Sequence, residues 1–478
     1  MKKILGIVLA LFLAACGGDD ETQPPQETTI DPSTSIVDII NITDFGAEVS
    51  VALLANENDL ITEKGVVWST NTNPTIEDSI VSGGSGNGGF NVTITGLESG
   101  TQYNVRSFIT IGESTIYSSS MSFSTTNSCF SNVFEGSIRL ETQTEVEAFG
   151  AIGYCKVSGG LQIGTLFNDD ERITDISTLS SIKEVRFLTI NNTLLNNLNS
   201  LQNLVKTEIV SMSDNVNMLN IDGLSNVTSP IYKIRITNHS LLQNLDGLSG
   251  LVSMDANYAG SLMIFNNASL ENIDGLLGIT RWSYGGIRIK LNPLLTNLDG
   301  LSNINEIEVV DISIESNNSL SNIDGLSNFA FREDTNFGIR NNPLLNNIDV
   351  FSNVTSLGGF YMEESPGIEN LNALSNLSSL GSLIIEENES LNSISDLANL
   401  DSLGSLYIRG NSSLQNLNGL ENLSTIDLSF LVRNNNLLLD FCAITTLIVG
   451  GGLNGEYIVS NNAYNPTQQD IIDGNCSQ

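Results

Sequence analysis

Thirteen side chains suited to recognition recur at matching places along the middle of the chain: Arg235, Met263, Phe265, Arg288, Lys290, Glu315, Arg340, Tyr361, Glu363, Glu386, Tyr407, Arg409 and Arg433. Each stands thirteen or eleven residues before an apolar anchor that returns every 22 to 28 residues. Six of the chain's nineteen Lys and Arg are among them, in a protein of formal net charge −35. Arg and Tyr are residues in which ligand faces are enriched. The candidate ligand-binding residues are therefore Arg235, Phe265, Arg288, Lys290, Arg340, Tyr361, Tyr407, Arg409 and Arg433. Glu315, Glu363 and Glu386 keep an alternative open, in which acids and bases pair across strands and need no ligand.

Catalysis has less to work with. The sequence pairs no nucleophile with a base and contains no P-loop, no GxGxxG and no clustered metal ligands. No enzymatic activity, cofactor or metal site is expected. Carboxylates abound, so acid–base work on sugars stays open as a lesser alternative, marked by two carboxylates about 5 to 9.5 Å apart in one cleft. The single histidine, His239, falls in a column otherwise made of Asn192, Asn215, Asn267, Asn292, Asn317, Asn342, Asn388, Asn411 and Asn435, with Asp170 and Ser365 filling two other gaps. Stacked amides can satisfy buried turn backbone, so His239 reads as structural. Another column holds Asp222, Asp246, Asp274, Asp299, Asp324 and Asp349, mostly followed by Gly. Asp-Gly is turn chemistry, with the carboxylate on nearby amides and Gly free to take positive φ. Carboxylates stacked about 5 Å apart also repel, which keeps calcium along this column as an alternative.

The elements that must hold these columns follow from an apolar spacing of three. Leu391, Ile394, Leu397, Leu400, Leu403 and Leu406 are three apart, and one step of two reaches Ile408. Neither an amphipathic helix nor a strand has that period. A chain turning a corner every few residues does, with the step of two marking a short strand. Twelve anchors from Leu179 to Ile444 repeat the unit, each with apolar residues six before, three before and three after. Such self-similarity marks a solenoid with one continuous core. Its expected extent is residues 168–447, with an N-terminal cap at 128–167 and a C-terminal cap at 448–478. Within each strand the positions alternating with the core residues face outward, which puts the thirteen on one exposed stripe.

Ahead of the solenoid, residues 35–126 carry about seven short alternating strands between turn residues, the pattern of a β-sandwich. Residues 17–34 are rich in Thr, Pro, Gln and acids and read as a disordered tether. Lys2 and Lys3, the apolar run Ile4 to Leu13 and the small Ala14-Ala15 form a signal segment, 1–16. The acidic balance argues against nucleic acid as a partner.

Resemblances to known sequence patterns add to this. Leu13-Ala14-Ala15-Cys16 resembles the lipobox of bacterial lipoproteins, which implies lipidation of Cys16 and membrane attachment through that lipid alone. The following Gly17-Gly18-Asp19-Asp20-Glu21 looks like the acidic tract that sends some Gram-negative lipoproteins to the outer face of the outer membrane. The string Leu97 to Arg106 resembles the fibronectin type III family around its tyrosine corner, with Tyr103 at the corner and Ser99 where Pro is usual. The Leu383-Ile384-Ile385-Glu386-Glu387-Asn388 unit resembles leucine-rich repeats, and the spacing is closer to the receptor L domain family. The fold expected is mainly β: a β-sandwich followed by a right-handed parallel β-solenoid. With Cys16 set aside, an oxidising envelope favours disulfides Cys129–Cys155 and Cys442–Cys476. The reading is a lipid-anchored surface protein that binds a protein or glycan on its strand face. A structural or adhesive envelope protein is the alternative.

Overall fold

The computed structural model describes residues 31–98, 100–126, 132–165, 172–254 and 260–478. The expected signal segment with Cys16, most of the tether, Ser99 and Cys129 lie outside the described residues. The chain forms two compact units, Met1–Ser128 and Cys129–Gln478.

In the first unit, every second residue of Gly46–Leu54 is buried from Ala47 to Val51, as alternation dictates. That strand joins Ser33–Ile40 and Phe90–Thr95 in a three-stranded antiparallel sheet. Ser79–Gly84, Ile61–Ser69, Gln102–Ile111, Ser114–Tyr117 and Met121–Ser124 form a second antiparallel sheet. Val49, Val51 and Ile94 of one sheet share a core with Val66, Val105 and Phe123 of the other, and Trp68 packs against it. The Tyr103 hydroxyl accepts the Glu98 N–H at 2.9 Å, and its ring stacks on Phe123 with centroids 6.1 Å apart.

The second unit is built on a sixteen-stranded sheet whose strand pairings are all parallel, a β-solenoid arrangement. The spacing of three has a direct cause. Eleven of the twelve anchors close a three-residue 3₁₀ turn, for example Asp222–Leu224, Asp299–Leu301 and Ser395–Leu397, and Leu420 is the exception. A 3₁₀ turn repeats every three residues, so side chains three apart fall on one side. Leu391, Ile394, Leu397, Leu400, Leu406 and Ile408 are completely buried, and the same core runs from Leu140 to Ile471.

The asparagine column is a hydrogen-bonded ladder. The backbone N–H of Asn267 donates to Asn292 Oδ1, that of Asn292 to Asn317, and that of Asn317 to Asn342, at 3.0–3.1 Å. Each amide nitrogen donates to a strand carbonyl of the preceding coil, as Asn292 Nδ2 does to Ile264 O and Asn317 Nδ2 to Ile289 O. Two details differ from the sequence reading. Among the described residues the ladder begins at Thr193, whose N–H meets Asn215 Oδ1 at 3.0 Å, while Asn192 stands one residue earlier at φ +50° and Asp170 lies outside them. At the other end the ladder runs on through Asn462 to Asn465.

The Asp-Gly column also works differently from turn chemistry. Gly223, Gly247, Gly275, Gly300 and Gly325 do not take positive φ. They are needed because a Cβ there would lie 1.7–2.0 Å from a carbonyl oxygen of the coil before. The turn amides are held by Asn two residues ahead of the Asp, as in Asn244 Oδ1 with Asp246 N at 3.1 Å and Asn297 with Asp299 at 3.0 Å. The Asp carboxylates are exposed. Among the described residues no three His, Cys, Asp or Glu are grouped to hold a metal ion.

The N-terminal end is closed by a helix, Gln143–Ile152, which starts in a Thr142–Glu145 capping box and buries Val146 and Phe149. Cys155 is disulfide-bonded, and its expected partner Cys129 lies outside the described residues. At the other end Cys442 and Cys476 are joined, with Cα atoms 4.9 Å apart. There the strand Glu456–Ser460 still pairs in parallel with Thr425–Arg433.

Candidate binding face

The parallel register sorts the outward side chains into rows that cross the strands. A central row reads Arg235, Met263, Arg288, Ser313, Gly338, Tyr361, Ile384, Tyr407 and Leu431. Beside it runs Thr237, Phe265, Lys290, Glu315, Arg340, Glu363, Glu386, Arg409 and Arg433. The nine candidate residues thus share one face. With strands about 4.8 Å apart, the eight steps from Arg235 to Arg433 span about 38 Å.

The face is not uniform. Lys290 pairs with Glu315 at 2.9 Å. Arg340 sits 3.4 Å from Glu363 and 3.6 Å from Glu364. Arg409 reaches Glu387 at 3.1 Å and Glu386 at 3.7 Å. Cross-strand pairing therefore accounts for these three bases without a ligand. Arg288 is held by Asp311 at 3.0 Å, although its side chain stays 54% exposed. Arg235 is exposed, and its side chain makes no ion pair or hydrogen bond among the described residues. Arg433 is half-buried, with Nε enclosed and without a partner.

Four candidates converge. Arg235, Phe265, Arg288 and Lys290, with Met263 and Ser313, line an open groove of about 580 Å³ on the strands Lys233–Thr237, Gly260–Phe265, Arg281–Lys290 and Glu306–Glu315. In its apolar part Met263 lies between Arg235 and Arg288, and Phe265 between Thr237 and Lys290, while Asp311 also lines the groove. Arg340, Tyr361, Tyr407, Arg409 and Arg433 lie farther along and do not line this groove.

Two features escaped the sequence reading. Asp311 is outward by the same alternation, one pair earlier in its strand, so strand length was the missing signal. Leu291, 42% exposed, follows Lys290 at φ +59°, where the neighbouring coils carry Asn266 and Ser316. A leucine in that region is strained, and nothing in its residue type announces the conformation.

One carboxylate of this face has a shifted ionisation. Burial raises the Glu363 carboxyl above its ordinary value, and Glu386, Glu364 and Glu315 push the same way against Arg340. Glu363 stands on the sheet between Arg340 on one neighbouring strand and a second carboxylate, Glu386, on the other. His239 is fully buried in the ladder, away from the exposed rows. No protein-family model matches the chain, and no curated protein matches it.

Proposed function

We propose that the protein is a lipid-anchored cell-surface binding protein of a Gram-negative outer membrane, holding a protein or glycan ligand on its strand face. In this reading Cys16 carries the lipid and residues 17–34 are the tether. The first unit is a fibronectin type III-like sandwich serving as a spacer, supported by the hydrogen bond from Glu98 N–H to the Tyr103 hydroxyl. The second is a right-handed solenoid of receptor L domain or leucine-rich type. The observation that carries the binding role is the groove in which exposed, unpaired Arg235 stands beside Phe265, Arg288 and Lys290. A guanidinium without an acid partner among the described residues, in a chain of net charge −35, is available to a ligand.

A second reading, an adhesive or structural envelope protein without a defined ligand, is favoured by one observation. Lys290, Arg340 and Arg409 are all paired within the face. Arrays of glycans and of surface proteins probed with the full chain decide between the two. Binding that is lost on Arg235→Glu with Arg288→Glu, and kept on Arg332→Glu at a corner loop, supports the groove. Binding unchanged by the double variant sinks it.

A further inference from the structure

We infer that the groove takes an acidic sugar residue of a polysaccharide, its carboxylate on Arg235 and its ring against Phe265. This rests on the strand-face reading above and narrows it to one ligand class.

Charge comes first. Arg288 and Lys290 are oriented and largely neutralised by Asp311 and Glu315, at 3.0 and 2.9 Å. Arg235, in the same row as Arg288 with Met263 between, has no such acid among the described residues. A planar guanidinium with its donors free matches a carboxylate in a two-pronged fit. The carboxylates must be sparse. Screening confines the pull of Arg235 to about 8 Å at physiological salt, and beyond that a densely charged polymer meets a protein of net charge −35.

Shape and floor come next. Phe265 and Met263 offer an apolar surface beside the charge, and the Ser313 hydroxyl has no hydrogen-bond partner among the described residues. One acid, one apolar face and further hydroxyls are what a uronic acid residue presents. A volume of about 580 Å³ lies within the range of small-ligand sites, about 300–1,000 Å³. The four groove strands are interior to the sheet, each pairing on both sides. An acidic peptide therefore cannot add here as a strand, which removes the main-chain hydrogen bonds that usually hold extended peptides.

The test is calorimetry on the full chain with hyaluronate oligosaccharides and with xylan bearing single glucuronate branches. Each is set against its carboxyl-reduced counterpart, and polyglutamate supplies carboxylates without sugar. The expected result is binding of a uronate glycan that disappears on carboxyl reduction. It should weaken about tenfold or more with Arg235→Gln and also with Phe265→Ser, while Arg235→Lys restores only part, because an ammonium lacks the fork. Circular dichroism checks that these surface variants stay folded. Equal binding of the reduced glycan overturns the inference. So does Arg235-dependent binding of polyglutamate without binding of either glycan, or a groove-dependent array ligand with no acidic sugar; in both of these the groove survives. If no probe or array ligand depends on Arg235 or Phe265, the strand-face reading falls with it.

Discussion

At position 239 an imidazole stands where neighbouring coils carry an amide. Its backbone N–H still reaches Asn267 Oδ1 at 3.1 Å, and Nδ1 lies 3.3 Å from the Asn215 carbonyl. Nε2 is enclosed without a partner. Burial holds the His239 ring below its ordinary value of 6.5, against smaller opposing effects of the Asn215 and Met212 carbonyls. The sign follows. The folded protein keeps this ring neutral, while the unfolded chain takes up a proton as pH falls through 6.5. Stability tied to His239 is therefore present above that value and lost as pH drops toward the depressed folded value. His239→Asn restores the ladder's own residue and removes the titration. The variant should be more stable by about 1 kcal/mol at pH 7.5, and its advantage should widen in acid, as read by urea unfolding at both ends. Parallel pH profiles for the two proteins refute this account.

The coil, as an element, carries two sets of amides with unequal duties. The inner ladder is sealed, whereas a second column lies at the exposed corner, where Asn303 Nδ2 meets Leu277 O at 2.8 Å and Asn328 Nδ2 meets Ser302 O at 2.5 Å. Asn317→Ala leaves the Asn292 N–H buried and unpaired, at about 1–3 kcal/mol, and removes a donor from the Ile289 carbonyl. Asn328→Ala exposes its partner to water and should change stability by no more than about 0.5 kcal/mol. Denaturant unfolding of the two variants separates the columns, and equal losses contradict the division. Much of this element was legible in sequence, because burying every third residue leaves an apolar period and a strand's alternation fixes which side chains face out. What could not be read depends on distances between coils. The Asp-Gly dipeptide suggests a turn needing positive φ, yet Gly275 is required by the Leu245 carbonyl one coil away. The 22-residue step from Leu179 to Leu201 moved the rung of that coil from Asn192 to Thr193, since column counting assumes a fixed register. Whether a cation is spent on a neighbour, as Lys290 is and Arg235 is not, depends on side-chain reach rather than on residue type.

At the scale of the whole solenoid, each coil touches only its neighbours, so stability is local and passes from coil to coil. The Cys442–Cys476 bond closes a segment with a sequence separation of 34 at the C-terminal end. By the chain-entropy estimate, opening such a loop costs about 3–4 kcal/mol. Replacing both cysteines with serine should therefore speed amide exchange in residues 425–478 and leave 281–340 near the groove protected. Exchange that accelerates uniformly along the sheet contradicts nearest-neighbour coupling.

The direction of the asparagine ladder has a consequence for biosynthesis. Every rung's amide serves the coil behind it, taking that coil's turn N–H and supplying a donor to its strand carbonyl, as Asn411 does for Asn388 and Ile385. A chain emerging from the ribosome or an export channel therefore always ends on a coil still waiting for its successor. The queue closes only when Asn465, three residues past Asn462, turns back and fills that role from within the final loop. A truncation behind any coil that an asparagine answers leaves that coil unanswered at its tip.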